Sequence, residues 1–234
     1  MKLEIIIPTY KRQKKLIRTL ASVKLALTHL PPNVVTSVNV YYSTPEEWLD
    51  AAKVVGRKWV NHHLLEPTKE SFSVPKFWND RLKNSQADMV CYLTDDVELN
   101  QFCLKVGVEN LTRVDLDGLV GFCVFNINEP KQPCQASFGI MGKAFIDGFK
   151  NRRVFCPEYY LLFADCELEA YAKSVCKFKF VKDCILAHYH PSYVPAEHDE
   201  THEHIRENKM IDQAIYDARK KKGLIWGRSY ELLG

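Results

Sequence analysis

Hydrophobic positions along the first hundred residues change period in a regular way. LEIIIPTY (3–10) is a continuous apolar run rich in β-branched side chains, the pattern of a strand buried on both faces. Helical spacing follows: Leu16, Ile17, Leu20, Val23 and Leu27 share one side, Lys14, Arg18 and Lys24 the other, until Pro31 and Pro32 stop the segment. VVTSVNVYY (34–42) predicts a second strand. TPEEWLDAAKVVG (44–56) predicts a helix with Thr44 as N-cap and Pro45 in its first position. KWVNHHLLE (58–66) reads as a third strand, VPKFWNDRLKNS (74–85) as a helix and DMVCYLT (88–94) as a fourth strand.

Strands and helices in strict alternation predict an α/β protein whose central sheet is mostly parallel and covered on both faces. Ligands of such sheets bind beyond the carboxyl ends of the strands, near the point where strand order reverses. Two polar clusters fall at strand ends: PTYKR after the first strand and TDD after the fourth. The second half is less regular. GLVGFCVFNI (118–127) and QASFGIMG (135–142) read as strands joined by a proline-containing loop, and KAFIDGF (143–149) as a short helix. LFADCELEAYAKSV (162–175) predicts a helix and FKFVKDCILAHYH (178–190) a strand. Polar sequence then runs from Pro191 to a final helix in HIRENKMIDQAIYDARKKKG (204–223).

At 234 residues and 46% hydrophobic, the chain suits one globular domain with a sizeable core. We place that domain at 1–190 and treat 191–234 as its polar, histidine-rich extension. No run reaches the roughly 18 apolar residues of a membrane span. The N-terminal apolar run contains Lys2 and Glu4 and stops at Pro8, so it reads as a strand rather than a signal peptide, and the expected location is cytoplasmic. Eight cysteines, none in a C-x-x-C pair and most inside apolar stretches, are expected to be free thiols. A net charge of +3 does not announce a polyanion partner. The basic runs YKRQKK (10–15) and ARKKKG (218–223) read first as solvated helix ends, with Gly223 as a helix stop; the other reading is attraction of a phosphate-bearing donor or acceptor.

Adjacent like charges at Asp95 and Asp96 ask for an explanation. In one reading Asp96 caps a helix beginning at Val97. In the other the pair holds Mg2+ or Mn2+, which prefer hard oxygen ligands and commonly complete their shell with substrate phosphates.

Four segments, in order, resemble the nucleotide-sugar-dependent glycosyltransferases of the GT-A fold, and more narrowly family 2: IIIPTYKR, KFWNDRLKNSQADMVCYL, YLTDDVEL and FADCELEAYAKSVCKFKFVKDCILAHYHP. The resemblance covers roughly residues 3 to 190. It implies a Rossmann-like sheet with a small antiparallel portion, a nucleotide-binding half over about 1–100 and an acceptor half over 101–190. It also implies a metal-dependent, inverting transfer from a nucleotide-diphosphate sugar, a UDP-sugar by expectation, to an acceptor glycan or other hydroxyl compound. By the same resemblance Pro8, Thr9, Tyr10, Arg12 and Asn79 lie beside the nucleotide. Thr94 and Asp95 belong to the donor or the metal's water shell, and Asp96 is the direct ligand. Asp165 is the base that deprotonates the acceptor. His188 completes the metal or diphosphate site, with His190 as its rival because residues two apart on a strand share a face. Such a base works best in an apolar setting, which Leu162 and Phe163 are expected to supply; read alone, Asp165 is a helix N-terminal carboxylate.

The chain departs from the family in three places. VYYSTPEE stands where the family carries paired acids after the second strand, leaving Ser43 and Thr44 with Tyr41 or Tyr42 to stack on the base. The family's Glu-Asp is here Ala164–Asp165, and Lys173 and Lys177 stand where Arg and Gly are common. Five of the eight histidines fall in AHYHPSYVPAEHDETHEH (187–204). That segment reads as a solvated polar stretch, as a Zn2+ site with His198, Asp199 and His202 on one helical face, or as a lid over the donor. Two other functions keep the fold: transfer to a nucleic-acid acceptor, and a binding module without activity.

Overall fold

The computed structural model describes residues 1–44, 59–65, 73–124, 134–191 and 194–228. In chain order the elements are β1 (Lys2–Thr9), α1 (Gln13–Leu27), β2 (Val35–Tyr42), β3 (Asn61–Leu64), α2 (Val74–Asn84), β4 (Met89–Tyr92), β5 (Val97–Leu99) and α3 (Cys103–Thr112). There follow β6 (Leu119–Val124), β7 (Gly139–Gly142), α4 (Lys143–Asp147), α5 (Ala164–Ser174), β8 (Phe178–His188) and α6 (Glu200–Lys221). The helix expected over 44–56 lies, beyond Thr44, outside the described residues, as do 125–127 of the strand expected over 118–127.

The strands form one eight-stranded sheet in the order β3-β2-β1-β4-β7-β6-β8-β5. β1 to β4 are parallel where they pair, β7 runs antiparallel between β4 and β6, β8 is parallel to β6, and β5 is antiparallel to β8. This is the mostly parallel sheet with a small antiparallel part that the sequence led us to expect. The first apolar run is continuous because it feeds two cores. Leu3, Ile5 and Ile7 pack with Leu16, Leu20 and Val23 of α1 on one face, while Ile6 packs with Phe77, Trp78 and Leu82 of α2 on the other.

One local expectation fails. No helix begins at Val97: Val97 and Leu99 are buried, Glu98 between them is exposed, and this period of two makes β5. Val97 pairs with His188 of β8, which carries that histidine to the end of the sheet beside Asp96. The helix starts later, at Cys103.

The C-terminal helix is tied in by polar groups. Asp212, fully buried, accepts the backbone N–H groups of Tyr160, Leu161 and Leu162, each at 2.8 Å. Arg219 forms a two-pronged pair with Glu167 of α5 (2.6 and 3.0 Å), and the same carboxylate accepts the Trp226 N–H. The run 218–223 is therefore only partly a solvated helix end. Lys220 to Lys222 are exposed and Gly223 stops the helix at φ +67°, but Arg219 is buried. Among the described residues no helix is long and apolar enough to cross a membrane.

Candidate active site

β1 and β4 are adjacent and parallel, so the segments that follow them meet at one edge of the sheet. Thr9 donates its hydroxyl to Asp95 Oδ2 at 2.7 Å, and Thr94 donates to Asp96 Oδ1 at 2.6 Å. The turn between β4 and β5 is pinned from α1: the one proton of Thr19 Oγ1 is shared between the carbonyls of Asp95 and Val97 (2.9 and 2.6 Å), and the oxygen accepts the Val97 N–H. Lys11, in the left-handed region at φ 52°, turns the chain just before Arg12. Arg12 then places Nη1 3.2 Å from both Asp95 Oδ1 and Asp96 Oδ2.

Both aspartates are only 3% exposed, so their electrostatics are strong. Burial, then the neighbouring Asp96 charge, pushes the Asp95 carboxyl up to about 7, against the pull of Arg12 and Thr9. Burial acts on Asp96 in the same sense, but His188, Arg12 and Thr94 outweigh it and hold that carboxyl well below the usual range. Asp96 is thus the permanently ionised member of the pair. His188 Nε2 stands 3.5 Å from Asp96 Oδ1.

The tail returns to this site. Asp199 forms a two-pronged pair with Arg12 (Nε at 2.9 Å, Nη2 at 3.0 Å) and lies 2.7 Å from Lys15 Nζ. Glu197 pairs with Arg18 at 3.0 Å, and the Arg18 guanidinium lies 3.5 Å from the centroid of the Tyr189 ring. The run YKRQKK is therefore only partly solvated: Tyr10, Lys11 and Lys14 are exposed, but Arg12 is buried and Lys15 half-buried. It begins α1, whose first turn has no acidic residue and no side-chain cap, so its cations face the positive end of the helix. Glu197 and Asp199 supply the missing negative charge. The single-face zinc arrangement does not form either, since His198 and Asp199 precede α6.

One guanidinium here serves three carboxylates: Asp95, Asp96 and Asp199. Lys15 shares Asp199 and the Asp95 carboxyl is pushed up to about 7, so the attraction for a divalent cation centres on Asp96 and His188, whose carboxylate oxygen and imidazole nitrogen face each other at 3.5 Å. The imidazole is a softer donor than Mg2+ favours, so the set suits Mn2+ better.

A second carboxylate centre lies along the same edge. Asp165, in the first turn of α5, accepts a hydrogen bond from Ser137 Oγ at 2.9 Å and the Cys166 N–H at 3.0 Å. Phe138, beside Ser137, sets its ring edge-on to His188 at 5.0 Å, linking the two centres. Phe163 caps α5 in the left-handed region at φ 67°. Its ring stacks on Tyr216 of α6 at 4.8 Å, so the hydrogen-bond partners of Asp165 are polar and Phe163 is committed elsewhere.

The structure does not bring every expected residue to these centres. Asn79 is buried in α2, where its side chain donates to the Phe155 carbonyl (2.7 Å) and accepts the Phe155 N–H (2.9 Å); its amide is a backbone clamp. Tyr41 is 6% exposed, stacked on His63 at 4.6 Å and edge-on to Phe77, and Tyr42 is fully buried, so neither offers a face to a base. Pro8 and Ser43 are half-buried at the ends of β1 and β2, and Tyr10 is exposed. His190 lies past the end of β8 with its ring 5.4 Å from that of His188. Sequence reasoning missed Thr19, Ser137 and Glu197, and it named Lys15 only within the basic run and Asp199 only as a zinc ligand; helical spacing put Thr19 beside Leu16 and Leu20. A separate cavity of about 390 Å3, lined by Glu4, Asn39, Tyr41, His63 and Arg81 among others, contains none of the carboxylates of either centre.

No family description matches the sequence, and no curated protein matches it. Solved structures do. S. aureus TarS superposes with a TM-score of 0.60 at 18% identity, over 80% of this chain and 36% of TarS. Its 1–349 fragment in complex with UDP-GlcNAc gives 0.62 at 18% identity, over 80% and 58% of the two chains. The fragment in complex with UDP gives 0.57 at 16% identity, over 80% and 60%. The chain thus spans between about one third and three fifths of the TarS chains it matches, and it has the GT-A fold.

Proposed function

We propose that the chain is a glycosyltransferase that moves a sugar from a nucleotide-diphosphate donor, of the UDP-sugar class, to an acceptor hydroxyl with inversion. The observation that carries this reading is the Asp95–Asp96 pair, buried at the carboxyl edge of a parallel sheet with one guanidinium shared among three carboxylates. The UDP-GlcNAc and UDP complexes of TarS, a protein of the same fold, support the donor class. Asp96 and His188 would hold Mn2+ or, less well, Mg2+. What the cation supplies when bound is neutralisation of the charge that develops on the leaving diphosphate.

The chain's own residues do the rest. Thr9, Thr94 and Thr19 fix the aspartates, and Arg12 offers the diphosphate a fixed positive charge once Asp199 is displaced from it. Asp165, oriented by Ser137, takes the proton of the acceptor hydroxyl as that oxygen attacks the anomeric carbon. Because Arg12, Lys15 and Arg18 turn inward on acids, they are withdrawn from the basic surface that a nucleic-acid acceptor would use. Calorimetric titration with UDP tests the reading. Binding should require Mn2+ in the wild type and be lost in Asp96→Asn; equal affinity with and without Mn2+, or in the variant, overturns the metal role. A panel of UDP-sugars that yields no transfer or hydrolysis overturns the activity.

A further inference from the structure

The strongest unassigned group of reactive side chains lies around Asp165. Cys134 Sγ, Cys166 Sγ and an Asp165 carboxylate oxygen all lie within 4.8 Å of one another. Asp165 and Cys166 are consecutive in the first turn of α5, and Cys134 comes from the segment that leads into β7. None of the eight cysteines forms a disulfide. We propose that Cys134, Cys166 and Asp165 form a binding site for a thiophilic divalent cation of the zinc class, separate from the Asp96–His188 site.

Geometry and chemistry agree on this. Tetrahedral zinc, with bonds of about 2.3 Å to sulfur and about 2.0–2.2 Å to oxygen, sets its donors roughly 3.3–3.8 Å apart. The three donors therefore need to draw together by about 1.5 Å at most. The supporting shell is already built. Glu169, one turn along α5, accepts the backbone N–H groups of Gln135 and Ala136 (2.6 and 3.2 Å) and the Cys134 thiol (3.2 Å). Ser137 orients the Asp165 carboxylate. The Gln135 and Ala136 bonds fix the backbone beside Cys134, while the thiol gives up its own bond to Glu169 when it deprotonates on a metal. Cys134 is buried while Cys166 and Asp165 are half-exposed, which leaves the fourth position to water, the open arrangement rather than the closed one of structural zinc. Two thiolates select zinc-class ions against Mg2+ and Mn2+, so the two sites sort their metals by donor softness.

Two consequences follow. The hydrogen bond that the Cys134 thiol gives to Cys166, burial and the Asp165 charge together push that thiol far up, so cation capture must release protons. Occupancy would also engage the carboxylate proposed as the base and stop transfer. That consequence rests on the proposed activity; the binding does not.

Co2+ is the probe, added to the full chain under a non-thiol reductant. Expected are a near-ultraviolet sulfur-to-cobalt band saturating at one equivalent, proton release and displacement by Zn2+. The band should vanish in Cys166→Ala and in Cys134→Ser, weaken in Asp165→Asn and persist in Cys176→Ser, the exposed-cysteine control. Cys166 is half-exposed, so its variant tests the site even if Cys134→Ser fails to fold. No thiolate band, or a band that survives Cys166→Ala, overturns the proposal. If a UDP-sugar is turned over, equimolar Zn2+ should inhibit the wild type and spare Cys166→Ala. Should no donor be turned over, the cobalt result still decides the site, and the two failures remain distinct.

Discussion

The two carboxylate centres at the carboxyl edge of the sheet are built on opposite principles. Asp95 and Asp96 are 3% exposed and tied to β1, α1 and the tail. Asp165 is half-exposed, and one neighbouring side chain, Ser137, orients it through a hydrogen bond. A buried pair can be kept charged only with countercharge close by, which suits a group that must hold an ion in one place. A half-open carboxylate can exchange a proton with whatever enters, which suits a group that must act on an acceptor. Each centre lies next to a residue in the left-handed region, Lys11 before Arg12 and Phe163 before Ala164–Asp165. For an aromatic residue that conformation costs about 1–3 kcal/mol, and packing against Tyr216 offsets it.

The sharpest way to break the comparison is to remove the countercharge from the buried centre alone. Arg12→Met leaves Asp199 with Lys15 and the buried Asp95–Asp96 pair with His188 alone, and the expected loss is about 3–5 kcal/mol of stability by denaturant unfolding. Adding Asp95→Asn should return part of that loss; no recovery would mean that Arg12 acts through packing instead. At the open centre the pattern should invert. Asp165→Asn should change stability by about 0.5 kcal/mol or less while lowering turnover roughly 10²- to 10⁴-fold, with UDP affinity intact. Turnover close to that of the wild type would remove Asp165 from the base role. An intermediate effect belongs to Thr19→Val, which leaves two carbonyls and one N–H of the aspartate turn without their partner. About 1–3 kcal/mol should be lost, with hydrogen exchange at Val97 speeding up more than in α5.

The buried centre was legible in part, for physical reasons that differ residue by residue. The continuous apolar runs and the helical spacing before residue 94 showed which strands end near the site, so TDD and PTYKR could both be set at strand ends before any coordinates. His188 was named from the family resemblance; the expected strand ran on to His190, and the observed β8 ends at His188. β5 was not legible, since VEL is too short for alternation to be told from a turn. Asn79 and Tyr41 were misread because an amide or a phenol is chemically versatile. Asn79 meets the Phe155 backbone and Tyr41 meets His63, contacts that depend on how α2 lies over the sheet and on the register of β3 against β2. Asp199 was named for zinc, and its pairing with Arg12 was the deepest miss: the two meet across 187 residues of sequence, and no local pattern records that.

That long-range contact gives the smallest effect and the finest test of the contrast. The Glu197 carboxyl is held below its ordinary value of 4.5, first by its hydrogen bond with Arg18 and then by the charges of Arg18 and Lys15, with burial opposing. A lowered folded pKa means that the ionised carboxylate favours the folded state above the ordinary value, and that this contribution is lost as pH falls through the folded one. Glu197→Gln should therefore cost about 0.2–1 kcal/mol near neutral pH and converge with the wild type in acid. Thermal unfolding of both proteins between about pH 3 and pH 7 reads the difference. Salt should shrink it, since Glu197 and Arg18 remain 22% and 29% exposed, whereas the buried Arg12–Asp96 contact should be far less sensitive. A gap between Glu197→Gln and wild type that stays constant across pH would show that the tail is held by shape and not by charge.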